Sequence, residues 1–158
     1  MKEVDKFEQE QADLKESYQQ SLKNRHERTA MKDDLMVQQQ VINVWQHMVG
    51  VICLNQTGRK KVKKLLPSFF EKFPTAEELL ESDQETIASM LEGLGMKNVR
   101  ANRIWRMSQD YLTWDGEDAT ELFGIGKYGS DSYRIFYKNE IPENVQDKEL
   151  KKYLNERI

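Results

Sequence analysis

The chain has little of what builds a covalent or metal framework. Its 158 residues include one cysteine and two histidines. A single cysteine, Cys53, excludes an internal disulfide and a four-cysteine zinc or iron–sulfur centre. His26 and His47 are not at metal-ligand spacing, so no metal and no organic cofactor is expected. No apolar run approaches the length of a membrane span. The N-terminus lacks the charged-then-apolar pattern and cleavage site of a secretory signal. Positive charge is not in excess either: 24 Lys and Arg stand against 27 Asp and Glu, a net charge of −3. A strongly basic nucleic-acid module is therefore excluded, and any contact with nucleic acid must rest on local basic patches. No strand ladder and no internal repeat is visible, so the chain reads as all-α with a core large enough for one domain.

Residues 1–33 are rich in Glu, Gln, Lys and Asp with sparse apolar positions, which predicts a charged, helix-prone or partly disordered leader. The main domain is expected over 34–158. Apolar residues from Leu35 to Leu54 recur as in a buried helix. A second helix is expected from Lys60 to Phe73, with a kink or early break at Pro67. Thr75-x-x-Glu78 and Ser82-x-x-Glu85 read as two capping boxes, and Gly93-Leu94-Gly95 as the end of the second short helix. Val99 to Leu112 has helical periodicity. Ala119 to Phe123 and Ser130 to Tyr137 flank a glycine-rich turn. Asn144 reads as the N-cap of a last helix through Leu154, with Asp147 in its first turn.

The densest signal is Leu122-Phe123-Gly124-Ile125-Gly126-Lys127-Tyr128-Gly129, followed by Asp147, 21 residues after Gly126. Gly124 and Gly126 allow a tight hairpin whose backbone N–H groups approach a phosphate closely. The helix after it points its positive end at the same phosphate. An acid one helix further along then lies beside the sugar of that nucleotide. The pairing points to chemistry on DNA.

These strings, with Asp131-Ser132-Tyr133-Arg134-Ile135-Phe136, Asn139-Glu140, Leu54-Asn55…Thr57, Leu94-Gly95 and Arg100-Ala101, resemble the helix–hairpin–helix DNA glycosylase superfamily. The match over residues 35–153 is closest to the catalytic domain of the methyl-CpG-binding-domain thymine/uracil mismatch glycosylases. The resemblance implies two helical lobes with a DNA and base cleft between them. It puts the family's catalytic aspartate on Asp147. A fixed carboxylate there stabilises the positive charge that builds on the sugar as the N-glycosidic bond breaks, and orients or deprotonates the attacking water. Bifunctional relatives such as endonuclease III carry a nucleophilic lysine two positions after the last hairpin glycine. Here that position is Tyr128, and Lys127 is one residue too early. The resemblance thus implies a monofunctional hydrolase without lyase activity, with Tyr128 and Gln38 lining the base pocket. On residue type alone, Tyr128 also fits a core tyrosine and Gln38 a solvated helix face.

The family fills the hole left by a flipped base with side chains from two loops, which map to Gln56 and Met96. The departures are specific: the closest family has arginine at Gln56, leucine at Met96 and lysine at Glu149. Gln56 lacks arginine's charge and its fork of donors, and Glu149 replaces attraction to DNA with repulsion. Weaker affinity or an altered opposite-base preference is expected. Arg59-Lys60-Lys61-Val62-Lys63-Lys64 follows the Gln56 loop, and Lys97, Arg100 and Arg103 follow the Met96 loop. Alone, such runs are solvated helix faces. Next to both loops, Arg59, Lys60 and Arg100, with Gly124, Gly126 and Lys127 of the hairpin, become candidate phosphate contacts.

The resulting expectation is a glycosylase, acting as a monomer on duplex DNA, for uracil or thymine opposite guanine. By analogy with the family its location is the nucleus. The rivals are a noncatalytic helix–hairpin–helix DNA-binding module and a glycosylase for another base lesion.

Overall fold

The computed structural model of the protein describes residues 36–157 together with Leu14. The predicted leader over 1–33 lies outside the described residues, Leu14 apart. The elements in order are α1 (Val37–Gln40), α2 (Val44–Leu54), α3 (Arg59–Lys72), α4 (Ala76–Leu80), α5 (Gln84–Ser89), α6 (Lys97–Thr113), a 3₁₀ turn (Ala119–Glu121), α7 (Lys127–Tyr137) and α8 (Lys148–Arg157). The fold is all-α, with no strand among the described residues.

Helix α2 is the hub. Its sequence is apolar around most of its circumference, and it buries every residue from Trp45 to Cys53. It packs against α1, α3, α6 and α7. Trp45 meets Phe70 of α3 edge-on, and its ring N–H donates to Ser108 Oγ of α6 at 2.9 Å. On its other side α2 touches α7 at Gly129. A Cβ added there would lie 2.6 Å from Ile125 Cγ2 and 3.1 Å from Val51 Cγ1, so only glycine allows this approach.

The apolar residues divide into two clusters. The larger gathers α2–α6 and the hairpin. The smaller joins Met36, Ile135 and Leu150, with Phe136, Val145, Tyr153 and Leu154 packed against it. Tyr128 packs on both. The seam between the clusters is where the cleft opens.

Several boundaries differ from the sequence reading, each for a local reason. The helix expected over Leu35–Leu54 is two helices. Asn43 breaks it by capping α2, its Oδ1 accepting from Gln46 N–H at 2.9 Å, while Gln46 Oε1 accepts from Ile42 N–H at 3.3 Å. Pro67 does not end α3, which runs on to Lys72. The Lys63 carbonyl that Pro67 cannot serve accepts instead from Gln40 Nε2 at 3.0 Å. The cap of α5 is Asp83 rather than Ser82, through a 2.6 Å bond from Thr86 N–H to its Oδ1. Thr75 caps α4 as expected. Helix α7 starts at Lys127, directly after Gly126, rather than at Ser130. Asn144 does not cap the last helix: it takes a left-handed conformation, φ 56°, in the preceding loop.

Candidate active site

The cap of α8 is Asp147 itself. Leu150 N–H donates to its Oδ2 at 2.9 Å, and Lys151 N–H to its backbone carbonyl at 3.0 Å. This holds one carboxylate oxygen by a charge-assisted bond at a helix N-terminus, where negative charge is favoured. Asp147 is half-buried on the wall of a cleft of about 710 Å³.

That cleft brings together most of the residues singled out from the sequence: Gln38, Gln56, Arg59, Gly124, Gly126, Lys127 and Tyr128, with Asp147 and Glu149. Its volume falls within the range of small-molecule sites. Helices α1, α2, α3, α7 and α8 and the hairpin meet there. The hairpin turns at Gly124, φ 82°, a conformation that favours glycine. It is tied to α6 by Phe123 N–H donating to Asp110 Oδ2 at 2.9 Å and by Arg106 lying 3.8 Å above the Phe123 ring.

Behind the wall runs a buried hydrogen-bond network. Gln38 Nε2 donates to Tyr128 Oη at 2.5 Å and to Ser132 Oγ at 3.0 Å. Ser132 Oγ also meets His47 Nε2 at 2.7 Å. Gln38 Oε1 and His47 Nδ1 have no partner among the described residues. Burial holds the His47 imidazole neutral, its pKa lowered to about 3. Burial likewise pushes the Tyr128 phenol up to about 12, opposed by its bond with Gln38 and reinforced by the negative charges of Asp147 and Glu149. Tyr128 is therefore a neutral hydroxyl at physiological pH. His47 and Ser132 were not singled out from the sequence. Only the apolar company of His47 hinted that it was buried, and nothing local linked it to Ser132, 85 positions away.

The cationic residues divide sharply. Arg59 Nη1 pairs with Glu149 Oε2 at 3.0 Å across the mouth of the cleft. Lys127 Nζ bonds Asp131 Oδ2 at 2.7 Å and the Glu143 carbonyl at 3.4 Å. Lys60 is exposed beside a second hollow lined also by Gln56, Arg59 and Lys61. Arg100 corrects the sequence reading. It is 2% exposed, its guanidinium turned inward onto backbone carbonyls, and so it presents nothing to a phosphate. Met96 is 50% exposed but lines neither hollow. Among the described residues no cluster of His, Cys, Asp and Glu could hold a metal. Cys53 is fully buried and its thiol is pushed up to about 12 by burial, so it offers no reactive thiolate.

Residues 49–156 match the family described as HhH-GPD superfamily base excision DNA repair protein. Among curated proteins, the chain is 30% identical over 92 residues to a methyl-CpG-binding domain protein 4-like protein of Arabidopsis thaliana, covering 58% of this chain and 21% of that protein. It is 25% identical over 93 residues to a thymine/uracil-DNA glycosylase of Pyrobaculum aerophilum, covering 54% of this chain and 40% of that one. The matches thus span less than half the length of either relative. Among solved structures, a thermostable thymine-DNA glycosylase superposes with a TM-score of 0.59 at 21% identity, covering 62% of this chain and 48% of the other. A trapped endonuclease III–DNA covalent intermediate superposes with 0.58 at 17% identity, covering 78% and 61%. At these identities the likeness is one of fold.

Proposed function

The chain belongs to the HhH-GPD superfamily of base excision DNA repair proteins, and from that premise we propose that it is a monofunctional DNA glycosylase for uracil or thymine opposite guanine. The observation that carries the reading is Asp147, fixed by the first turn of α8 on the same cleft wall as Tyr128 and Gln38. A base turned out of the duplex enters the cleft. The duplex pays a few kcal/mol for this, least at a mismatch. Its N1–C1′ bond then lies near Asp147. As that bond breaks, positive charge grows on the sugar and the fixed carboxylate stabilises it. The carboxylate also orients water for attack at C1′ and takes its proton. Gln38 supports the choice of base. Its Nε2 is spent on Tyr128 and Ser132, while Oε1 is buried and unpartnered, an acceptor for the N3–H of uracil or thymine.

Tyr128 supports the monofunctional reading. A Schiff-base route needs a lysine amine aimed at the sugar. The position holds a phenol instead, and the neighbouring Lys127 is engaged by Asp131 and the Glu143 carbonyl. The hairpin amides around Gly124 and Gly126 and the exposed Lys60 are the phosphate contacts in this reading. Gln56 and Met96 are the residues that fill the vacated stack, and the protein works as a monomer on duplex DNA.

The test is single-turnover base release from labelled duplexes carrying G·U and G·T. Strand breaks that appear only after heat and alkali, with no borohydride-trapped protein–DNA adduct, are expected. A trapped adduct would overturn the monofunctional assignment. No release from either duplex, at protein concentrations that bind the DNA, would overturn the substrate assignment.

A further inference from the structure

Both loops assigned to fill the vacated stack turn on a non-glycine residue in the left-handed region: Gln56 at φ 60° and Met96 at φ 50°. Neither side chain favours that conformation, which is strained and persists only where surroundings over-determine it. The surroundings in both cases are the same side chain. Arg100 Nε donates to the Gly95 carbonyl at 2.9 Å, next to Met96. Its Nη1 donates to the Ile52 and Cys53 carbonyls at 3.2 and 2.7 Å, at the C-terminal end of α2. Its Nη2 donates to Thr57 Oγ1, next to Gln56. Thr57 Oγ1 in turn donates to the Leu94 carbonyl at 3.3 Å, closing the link between the two loops.

The arrangement is specific to arginine. Four acceptors lie around one planar fork, and a lysine ammonium has three donors at a single point. Among the described residues no carboxylate bonds this buried cation. Its electrostatic partner is the pair of carbonyls at the C-terminal end of α2, where the helix dipole favours positive charge.

We infer that Arg100 is a positioning residue that locks the Gln56 and Met96 loops into one rigid unit, so that both side chains meet the duplex together. The inference rests on the glycosylase reading for its consequence, but the lock itself belongs to the free protein. It replaces the phosphate contact expected of Arg100 with a role inside the fold. A rigid pair of loops matters only when the base must be driven from a paired stack. A base already unpaired needs no such help.

The experiment uses the full chain with Arg100→Lys and Thr57→Val. Thr57→Val removes the bridging hydroxyl while keeping shape and all charges, and serves as the variant if Arg100→Lys fails to fold. Amide hydrogen exchange of the free protein is read over 55–58 and 93–97. Faster exchange in both loops together, at least tenfold in Arg100→Lys, is expected. Acceleration of one loop alone, or of neither, would overturn the lock. Single-turnover uracil release at saturating protein is then compared between a G·U duplex and a duplex with uracil opposite an abasic site. A loss of at least tenfold on G·U with less than threefold on the unpaired base is expected. Equal losses on both would mean a general structural role and overturn the positioning role, as would full activity of Arg100→Lys on G·U. If the unsubstituted protein releases uracil from neither duplex, the glycosylase reading fails, and hydrogen exchange still decides the lock.

Discussion

The wall of the cleft and its rim are built on opposite principles. The wall carries Gln38 and Tyr128, backed by Ser132 and His47 in a network held in burial between α1, α2 and α7, with the His47 ring kept neutral. The rim carries exposed Gln56 and the Arg59–Glu149 pair; Lys60 borders the neighbouring hollow, and exposed Met96 lines neither. Buried polar groups are costly unless satisfied, so a wall of this kind has one geometry and two orphan atoms that stand out against it. Exposed charges are screened and loosely held, so the rim tolerates substitution and tunes affinity rather than chemistry. The departures from the resembled family at Gln56 and Glu149 fall on the rim, and the one at Met96 on an exposed loop outside the cleft.

The largest effect that separates the two regions is expected in acid. His47 is neutral in the fold, with a pKa near 3 against 6.5 for the free side chain. Below about pH 6.5 the unfolded chain binds a proton that the folded chain refuses, so stability falls as pH drops and rises again with pH. The slope approaches about 1.4 kcal/mol per pH unit until the folded pKa is reached. Denaturant unfolding at pH 6.5, 5.5 and 4.5 should show this component in the native chain. It should be absent in His47→Gln, and a native slope no steeper than that of the variant would break the account of the wall.

Next in size is the contact that sets α7 against α2. Gly129→Ala forces a methyl onto Ile125 Cγ2 and Val51 Cγ1 and should cost about 1–3 kcal/mol in unfolding free energy. Gly58→Ala, where an added Cβ meets nothing within 4 Å, is the control expected to change stability little. Equal stabilities would show that the close approach is not tight.

How much of this was legible in the sequence follows the reach of each signal. The hairpin glycines and Asp147 were readable because their requirements are local: a positive φ at Gly124 and a carboxylate at a helix start. Even there the cap proved to be Asp147 itself, not Asn144, which the loop uses for its own left-handed turn. The break between α1 and α2 was hidden because apolar periodicity runs through it, while Asn43 needs only one side-chain bond to impose it. Pro67 misled because its rescue, Gln40 Nε2, comes from another helix. Arg100 was misread because a cation in a basic stretch looks the same whether it faces solvent or the carbonyls at the end of α2. Only the tertiary fold, which brings Thr57 across 43 positions to its guanidinium, distinguishes the two.

The remaining predictions concern the wall and rim as binding surfaces. Gln38→Ala removes a buried amide beside the cleft and should lower single-turnover release of uracil by about tenfold, the worth of roughly one hydrogen bond. DNA affinity should stay within twofold. A matching drop in affinity would move Gln38 from the wall to the DNA surface. The smallest effect is at the rim. Glu149→Gln removes the ion pair with Arg59 and one negative charge at the mouth, so duplex affinity should rise a few-fold at low salt, with the gain shrinking as salt is added. Unchanged affinity by titration at 50 and 200 mM salt would show that the pair does not face DNA.

The central claim is that Asp147 carries the chemistry while rim and hairpin carry the binding. The measurement that tests it most directly is single-turnover base release from a G·U duplex by the native chain and by Asp147→Asn, with duplex affinity measured on the same preparations. The account predicts a loss of about 10²–10³-fold or more in release, with affinity unchanged or raised by the removal of a negative charge. Release retained within tenfold in Asp147→Asn would contradict it.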